Sequence, residues 1–136
     1  MIAFLDASAL IYLVEGKAPF AAKVRKQLAA LIQAEPGMRT AVSRLTWLEC
    51  RTHPMKAGDV ETLAMYDAFF ARPDLICVEL SANVVDLATA IRVRHGLKTP
   101  DALQAACCLQ LGGEHVFLTG DVGFRRVAGL NTRIVG

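Results

Sequence analysis

Thirteen of the 136 residues are carboxylic acids, and four of them stand where a plain surface charge is not expected. Asp6 ends the apolar run Ile2-Ala3-Phe4-Leu5. Glu49 sits within Leu45-Thr46-Trp47-Leu48-Glu49-Cys50. Asp101 opens the segment Ala102-Leu103-Gln104-Ala105-Ala106, and Asp121 follows Val116-Phe117-Leu118-Thr119. Each has an ordinary explanation alone. Asp101 suits a helix first turn, where the dipole favours an acid. Asp6 and Asp121 suit turns or caps, and Glu49 suits a pair with Arg44 or Arg51. Together they point elsewhere. Carboxylates converging in a semi-apolar cleft repel one another and lose hydration, so they need a counter-charge. The local sequence positions no lysine or arginine to supply it. Mg²⁺ or Mn²⁺ would, since hard cations take oxygen ligands of this kind. A cation so held lowers the pKa of a bound water, orients it at a phosphate and stabilises the leaving oxygen. The chemistry indicated is metal-assisted hydrolysis of a phosphodiester.

The elements that must position these acids follow from the apolar pattern. Ile2 to Leu5 reads as a buried parallel strand, with helical character from Ala7 to Val14 and a stop at Glu15-Gly16. Pro19 suits the first turn of a second helix running to about Ala34, with Val24, Leu28, Leu31 and Ile32 on one face. Glu35-Pro36-Gly37 stops it. Arg39 to Ser43 predicts a strand. The helix after it, capped by Ser43 or Thr46, is expected to end near His53, because Pro54 disfavours a helical residue before it. Asp59 caps a helix over Val60 to Ala71 whose apolar face includes Leu63, Tyr66, Phe69 and Phe70. Leu75 to Leu80 predicts a third strand. Ser81 starts a helix ending at Gly96, and Thr99-Pro100-Asp101 starts another running to Leu111. Val116 to Thr119 is a fourth strand, followed by a short helix around Phe124 to Val127 and an edge strand at Arg133 to Val135. Such alternation predicts a three-layer α/β/α arrangement around a mainly parallel sheet of four to five strands. Functional sites in such sheets gather beyond the carboxyl ends of the strands.

The length suits a single domain over residues 1–136. A hydrophobic share of 54% with no long block of like charge argues against disorder. The net charge of +2 permits a nucleic-acid partner without arguing for one, so binding must rest on a local basic rim. Cys50, Cys77, Cys107 and Cys108 form no C-x-x-C pair and read as reduced core thiols, which fits the cytoplasm. No segment approaches the ~20 apolar residues of a membrane span, and Asp6 interrupts the first apolar run, so neither membrane insertion nor a signal peptide is expected.

Four blocks then resemble those of the PIN-domain family, and within it the VapC-type toxins of bacterial toxin–antitoxin pairs. They are Leu5-Asp6-Ala7-Ser8-Ala9-Leu10; Ser43-Arg44-Leu45-Thr46-Trp47-Leu48-Glu49-Cys50 with Pro54-Met55-Lys56-Ala57-Gly58-Asp59; Leu97-Lys98-Thr99-Pro100-Asp101-Ala102-Leu103; and Phe117-Leu118-Thr119-Gly120-Asp121-Val122-Gly123-Phe124. They come in the family's order and span nearly the whole chain. The resemblance implies a PIN fold and Mg²⁺- or Mn²⁺-dependent endonucleolytic cleavage of RNA, with tRNA or rRNA as candidate targets and arrest of translation and growth as the result. It implies inhibition by a VapB-like antitoxin and homodimerisation, with larger toxin–antitoxin assemblies open. Asp6, Glu49, Asp101 and Asp121 match the metal-holding quartet. Ser8 and Thr119 match small hydroxyl positions that hydrogen-bond a carboxylate or a water on the metal. Gly120 stands where many relatives carry Asn or Asp, and Gln104 where many carry His. The first departure removes an auxiliary ligand and leaves a second metal in doubt.

Other residues supply a candidate surface for each partner. Arg92, Arg94 and Lys98 precede Asp101, and Arg125 and Arg126 follow Asp121, so both groups flank the acids and could contact phosphates. A solvated surface is the ordinary alternative. Trp47, Met55, Tyr66, Phe69 and Phe70 concentrate in the two middle helices, where core packing and a groove for an antitoxin helix are both open. His53, His95 and His115 show no metal-ligand spacing. An aspartyl phosphatase would want a second Asp where Ser8 stands. A receiver-like domain would want an acceptor Asp where the third strand runs into Ser81. A PIN fold acting as an RNA-processing nuclease or a non-catalytic scaffold, without an antitoxin, stays open.

Overall fold

The computed structural model describes residues 1–136. Five parallel strands form one sheet in the order β3-β2-β1-β4-β5: β1 (Ile2–Leu5), β2 (Arg39–Ser43), β3 (Ile76–Val78), β4 (His115–Thr119) and β5 (Thr132–Ile134). Six helices cover it: α1 (Ala7–Glu15), α2 (Phe20–Ala34), α3 (Arg44–Ala57), α4 (Val60–Phe70), α5 (Ala82–His95) and α6 (Thr99–Gln110). The central strands are buried on consecutive residues because both faces of the sheet are covered. Phe4, Ala41 and Phe117 point to one face, where Ile91 of α5 and Ala102 and Ala105 of α6 pack. Ala3, Leu5, Val42 and Leu118 point to the other, against Val24 and Leu31 of α2, Cys50 of α3 and Tyr66 of α4. The architecture is the expected three-layer α/β/α one, with five strands, all parallel.

The order of the strands creates the position of the site. The chain steps from β1 to β2 to β3 in one direction. It then returns through α5 and α6 to lay β4 on the opposite side of β1. Segments leaving β1 and β4 therefore diverge, and a crevice opens at their carboxyl ends. Phe4 and Phe117 lie in register across this pair, with rings stacked at 5.5 Å between centroids. Asp6 donates its backbone N–H to Leu118, extending the pairing by one residue to the lip of the crevice.

Several boundaries differ from the sequence expectation. Helix α3 does not stop near His53. It runs through Pro54 to Ala57 and closes on Gly58, whose φ of 66° is left-handed and suits glycine. An interior proline costs about 3 kcal/mol through its lost N–H and its clash with the preceding turn. Here its ring is buried, which offsets part of that cost. Strand β3 has only three residues, since Leu75 and the Glu79–Leu80 pair lie outside the ladder. Ile32 is half-exposed rather than part of the α2 core stripe. Helix α6 starts one residue early: Lys98 is the cap position, without a side-chain cap bond, and Thr99 is already helical. The short helix after β4 is a 3₁₀ turn, Val122–Arg126.

Candidate active site

Asp6 is both the end of β1 and the N-cap of α1, and only 5% of it is exposed. Its Oδ1 accepts the Ala9 backbone N–H at 3.0 Å and the Ser8 hydroxyl at 2.7 Å, and its Oδ2 accepts the Thr119 hydroxyl from β4. Both hydroxyls are held from behind. Ser8 Oγ accepts the Gly120 N–H at 2.9 Å, and Thr119 Oγ1 accepts the Asp121 N–H at 3.0 Å. An oxygen that accepts a backbone N–H must turn its own hydrogen elsewhere, here onto Asp6. The two hydroxyls thus fix the carboxylate and the β4 exit loop together.

Glu49 projects from α3, and Gln104 of α6 donates to its Oε1 at 3.0 Å. The same amide group donates to Thr46 Oγ1 at 2.7 Å, and Gln104 Oε1 accepts the Ser43 hydroxyl at 2.9 Å. Gln104 is buried and lies one helical turn after Asp101, so both face the same way. Asp101 stands in the first turn of α6. Asp121 Oδ1 caps the 3₁₀ turn by accepting the Gly123 N–H at 2.8 Å. All four acids line one cavity of about 210 Å³, with Ser8 and Gln104 in its wall.

Burial pushes the carboxyl pKa of Asp6 up against three opposing hydrogen bonds, and the Asp101 charge adds to the rise. Burial also raises Glu49, opposed by the Gln104 hydrogen bond and assisted by Asp101 and Asp6. Asp101 rises through burial and the Asp121 charge, while Lys98 and Arg126 pull it down. Of the basic residues expected to flank the acids, these two reach Asp101, so the group is not wholly without positive charge. Lys98 stands three residues before Asp101 at the start of α6, whereas Arg126 arrives through the 3₁₀ turn.

The donor set suits a hard divalent cation in kind. It offers carboxylate and hydroxyl oxygens around a cavity, and burial, helped by the neighbouring acids, disfavours the charged forms of Asp6, Glu49 and Asp101. No three acid, His or Cys side chains converge closely enough to form a ready-made metal cage. Like charges around a cleft stay apart until a cation relieves their repulsion.

The remaining expected residues divide. Tyr12 explains Gly120: a Cβ there would stand 2.7 Å from the tyrosine hydroxyl, so the ring fills the space a side chain would need. Arg94 and Arg125 are exposed. Arg92 is tied to the α5–α6 turn, donating to the Leu97 carbonyl and to the Thr99 hydroxyl. Trp47 and Met55 line a surface pocket of about 310 Å³ with Leu48, while Phe70 meets Trp47 edge-on and Phe69 meets Phe70 likewise. Tyr66 does not belong to that surface. It is fully buried, with its hydroxyl donated to Glu15. The Gln104 network was missed. Its one available signal was a polar residue on the buried stripe of an apolar helix.

Comparison with known proteins agrees with this fold. The family model described as the PIN domain matches residues 3–130. No curated protein matches the chain in sequence. Among solved structures, VapBC2 from Rickettsia felis, bound to a DNA fragment from its promoter, is similar with a TM-score of 0.77 and 16% identity, over 98% of each chain. A toxin–antitoxin complex from Klebsiella pneumoniae is similar with a TM-score of 0.69 and 21% identity, also over 98% of each.

Proposed function

The chain belongs to the PIN domain family, and from that premise we propose that it is a Mg²⁺- or Mn²⁺-dependent endoribonuclease, the toxin partner of an antitoxin protein. The observation that carries this reading is the meeting of Asp6, Glu49, Asp101 and Asp121 around one cavity at the β1–β4 crevice. PIN domains are generally nucleases, and the similar solved structures are toxin–antitoxin complexes.

In this reading the four acids hold the cation, which when bound supplies charge neutralisation and activates the attacking water. The chain's own residues prepare that event. Ser8 and Thr119 keep Asp6 aimed into the cavity, and Gln104 keeps Glu49 there. Arg94 and Arg125 offer positive charge to an incoming RNA. The exposed apolar groups at Trp47, Leu48 and Met55 offer an antitoxin helix its seat. Association as a homodimer belongs to the same proposal. Action on RNA in the cytoplasm is part of the same proposal; no helix is long and apolar enough to cross a membrane.

The test is incubation of antitoxin-free protein with total cellular RNA in Mg²⁺, Mn²⁺ or EDTA, beside Asp6→Ala and Asp101→Ala. Discrete cleavage that needs the cation and disappears in both variants is expected. Cleavage unchanged in the variants, or none by folded protein with either cation, overturns the proposal.

A further inference from the structure

A second cavity, of about 200 Å³, adjoins the first and shares Asp101, Asp121 and Phe124 with it. Its remaining wall is of opposite character. Lys98 reaches it from the start of α6 and Arg126 from the 3₁₀ turn, with Gly96 and Gly123 between them. Neither cation forms an ion pair. Arg126 uses only Nε, on the Gly123 carbonyl at 3.3 Å. A Cβ on Gly123 would stand 3.1 Å from Asp121 Oδ1 and 3.4 Å from an Arg126 terminal nitrogen, so the missing side chain keeps this corner open. The positive end of α6 lies on the same side.

From this geometry we infer that the Lys98–Arg126 cavity is a subsite for the RNA phosphate next to the one cleaved. The inference rests on the nuclease reading and deepens it. One strand of nucleic acid carries a phosphate at every nucleotide, so a chain with one phosphate at the acid cavity must place its neighbour nearby. The acid side offers that neighbour only repulsion. The shared wall bears on the balance of charge: with a divalent cation held by the acids, Asp101 and Asp121 would be neutralised and Lys98 and Arg126 would be free for a phosphate. Guanidinium and ammonium groups are the usual phosphate donors. Lys98 and Arg126 are positioning residues here, since they hold the strand and touch no reacting atom. The subsite predicts that a single phosphodiester without a neighbour is a poor substrate.

The test reads binding, not turnover. Fluorescent twelve-nucleotide oligouridine is titrated with the intact protein in Ca²⁺ by anisotropy over a series of salt concentrations, with gels to verify that the RNA stays whole. Each phosphate contact on a single strand contributes about 0.7 to the slope of log K against log salt. Lys98→Gln with Arg126→Gln should lower the slope by about that amount, Lys98→Arg should keep it, and Arg25→Gln on α2 should leave it unchanged. Thermal melts establish that each variant is folded, and Gly123→Ala, which crowds the cavity and keeps both charges, should weaken binding as well. An unchanged slope overturns the subsite and leaves the two cations as counter-charges to Asp101. Failure of the wild type to bind oligouridine overturns it too. Cleavage of cellular RNA in Mn²⁺ is measured on the same preparations. Cleavage with an unchanged slope removes the subsite and spares the nuclease, whereas a Lys98- and Arg126-dependent slope without cleavage keeps the phosphate contact but overturns the nuclease reading and, with it, the contact's place beside a cleaved bond.

Discussion

Thr119 gives its hydroxyl hydrogen to Asp6 across the β1–β4 pair, and its oxygen accepts the backbone N–H of Asp121 at 3.0 Å. One buried hydroxyl therefore ties the Asp6 carboxylate to β4 and to the backbone that carries Asp121. Thr119→Val keeps the shape and removes both bonds, leaving the Asp121 N–H without its partner. A buried polar group stripped of its hydrogen bond costs about 1–3 kcal/mol. Urea denaturation in EDTA should show a loss of that order, and Thr119→Ser should recover most of it. A Thr119→Val protein as stable as wild type would mean that the hydroxyl does not hold the crevice together.

Gln104 does the same for Glu49 from the other side. Its amide joins Ser43, Thr46 and Glu49, and it has no solvent to fall back on. Gln104→Leu fits the volume and takes one partner from each of two hydroxyls, which keep each other, and from a half-buried carboxylate. We expect a stability loss of about 1–3 kcal/mol and weaker Mn²⁺ binding by calorimetry. Gln104→Glu should behave differently: it sets a second acid beside Glu49, so the metal-free protein loses stability and added Mn²⁺ restores it. Equal response of both variants to Mn²⁺ would show that the amide has no bearing on the cation.

The acids were legible in the sequence because each interrupts an apolar segment, and a parallel sheet sends successive strand ends to one edge. The partners that orient them were not. Gln104 lies 58 residues from Thr46 and 55 from Glu49, and only the α3–α6 contact makes the three neighbours. Lys98 and Arg126 were visible as basic residues near acids, but their meeting around Asp101 depends on the path of the 3₁₀ turn. Pro54 misled for a local reason, since a proline stop is outweighed when its ring is buried and the helix has a glycine exit later. Tyr66 misled for a distant one: its hydroxyl finds Glu15 at the far end of α1, a partner that no apolar pattern encodes.

The surface left on α3 after Tyr66 is removed from it makes its own prediction. Leu48 and Met55 are 61% and 57% exposed, seven residues apart on one helix face, with the Arg51 guanidinium 4.0 Å above the Trp47 ring between them. Exposed apolar groups at this spacing suit an amphipathic partner helix. Met55→Glu and Leu48→Lys add charge to exposed positions, where substitutions usually shift stability by less than about 0.5 kcal/mol. If the proposed function holds, RNA cleavage by the free protein should persist, while inhibition by the proposed antitoxin partner should weaken. Full inhibition of both variants would place the antitoxin elsewhere.

The raised carboxyls of Asp6, Glu49 and Asp101 set the sign of the pH dependence. Between the ordinary carboxylate pKa and the raised folded value, the folded state keeps protons that the unfolded chain has released. Stability therefore falls as pH rises through that window. Metal-free protein should melt lower as pH rises through that window. Asp59 and Glu79 act oppositely: hydrogen bonds from Thr62 and from Arg44 hold their carboxyls below the usual range, so what they contribute is lost only in a more acidic window. A divalent cation inverts the first trend, because it binds the deprotonated acids and competes with protons. At a hundredfold excess over its dissociation constant a ligand adds about 2.7 kcal/mol, so the gain should be plain in a melt at neutral pH. Asp6→Asn removes one titrating charge while keeping acceptors for Ser8 and Ala9. Its amide nitrogen cannot accept the Thr119 hydroxyl, so the readout is the pH slope: the variant should flatten the pH dependence of the melting temperature in EDTA and reduce the gain from Mn²⁺. A wild-type melting temperature in EDTA that climbs steadily from mild acid to neutrality would contradict the raised carboxyls, and with them the unbalanced charge that a cation is proposed to satisfy.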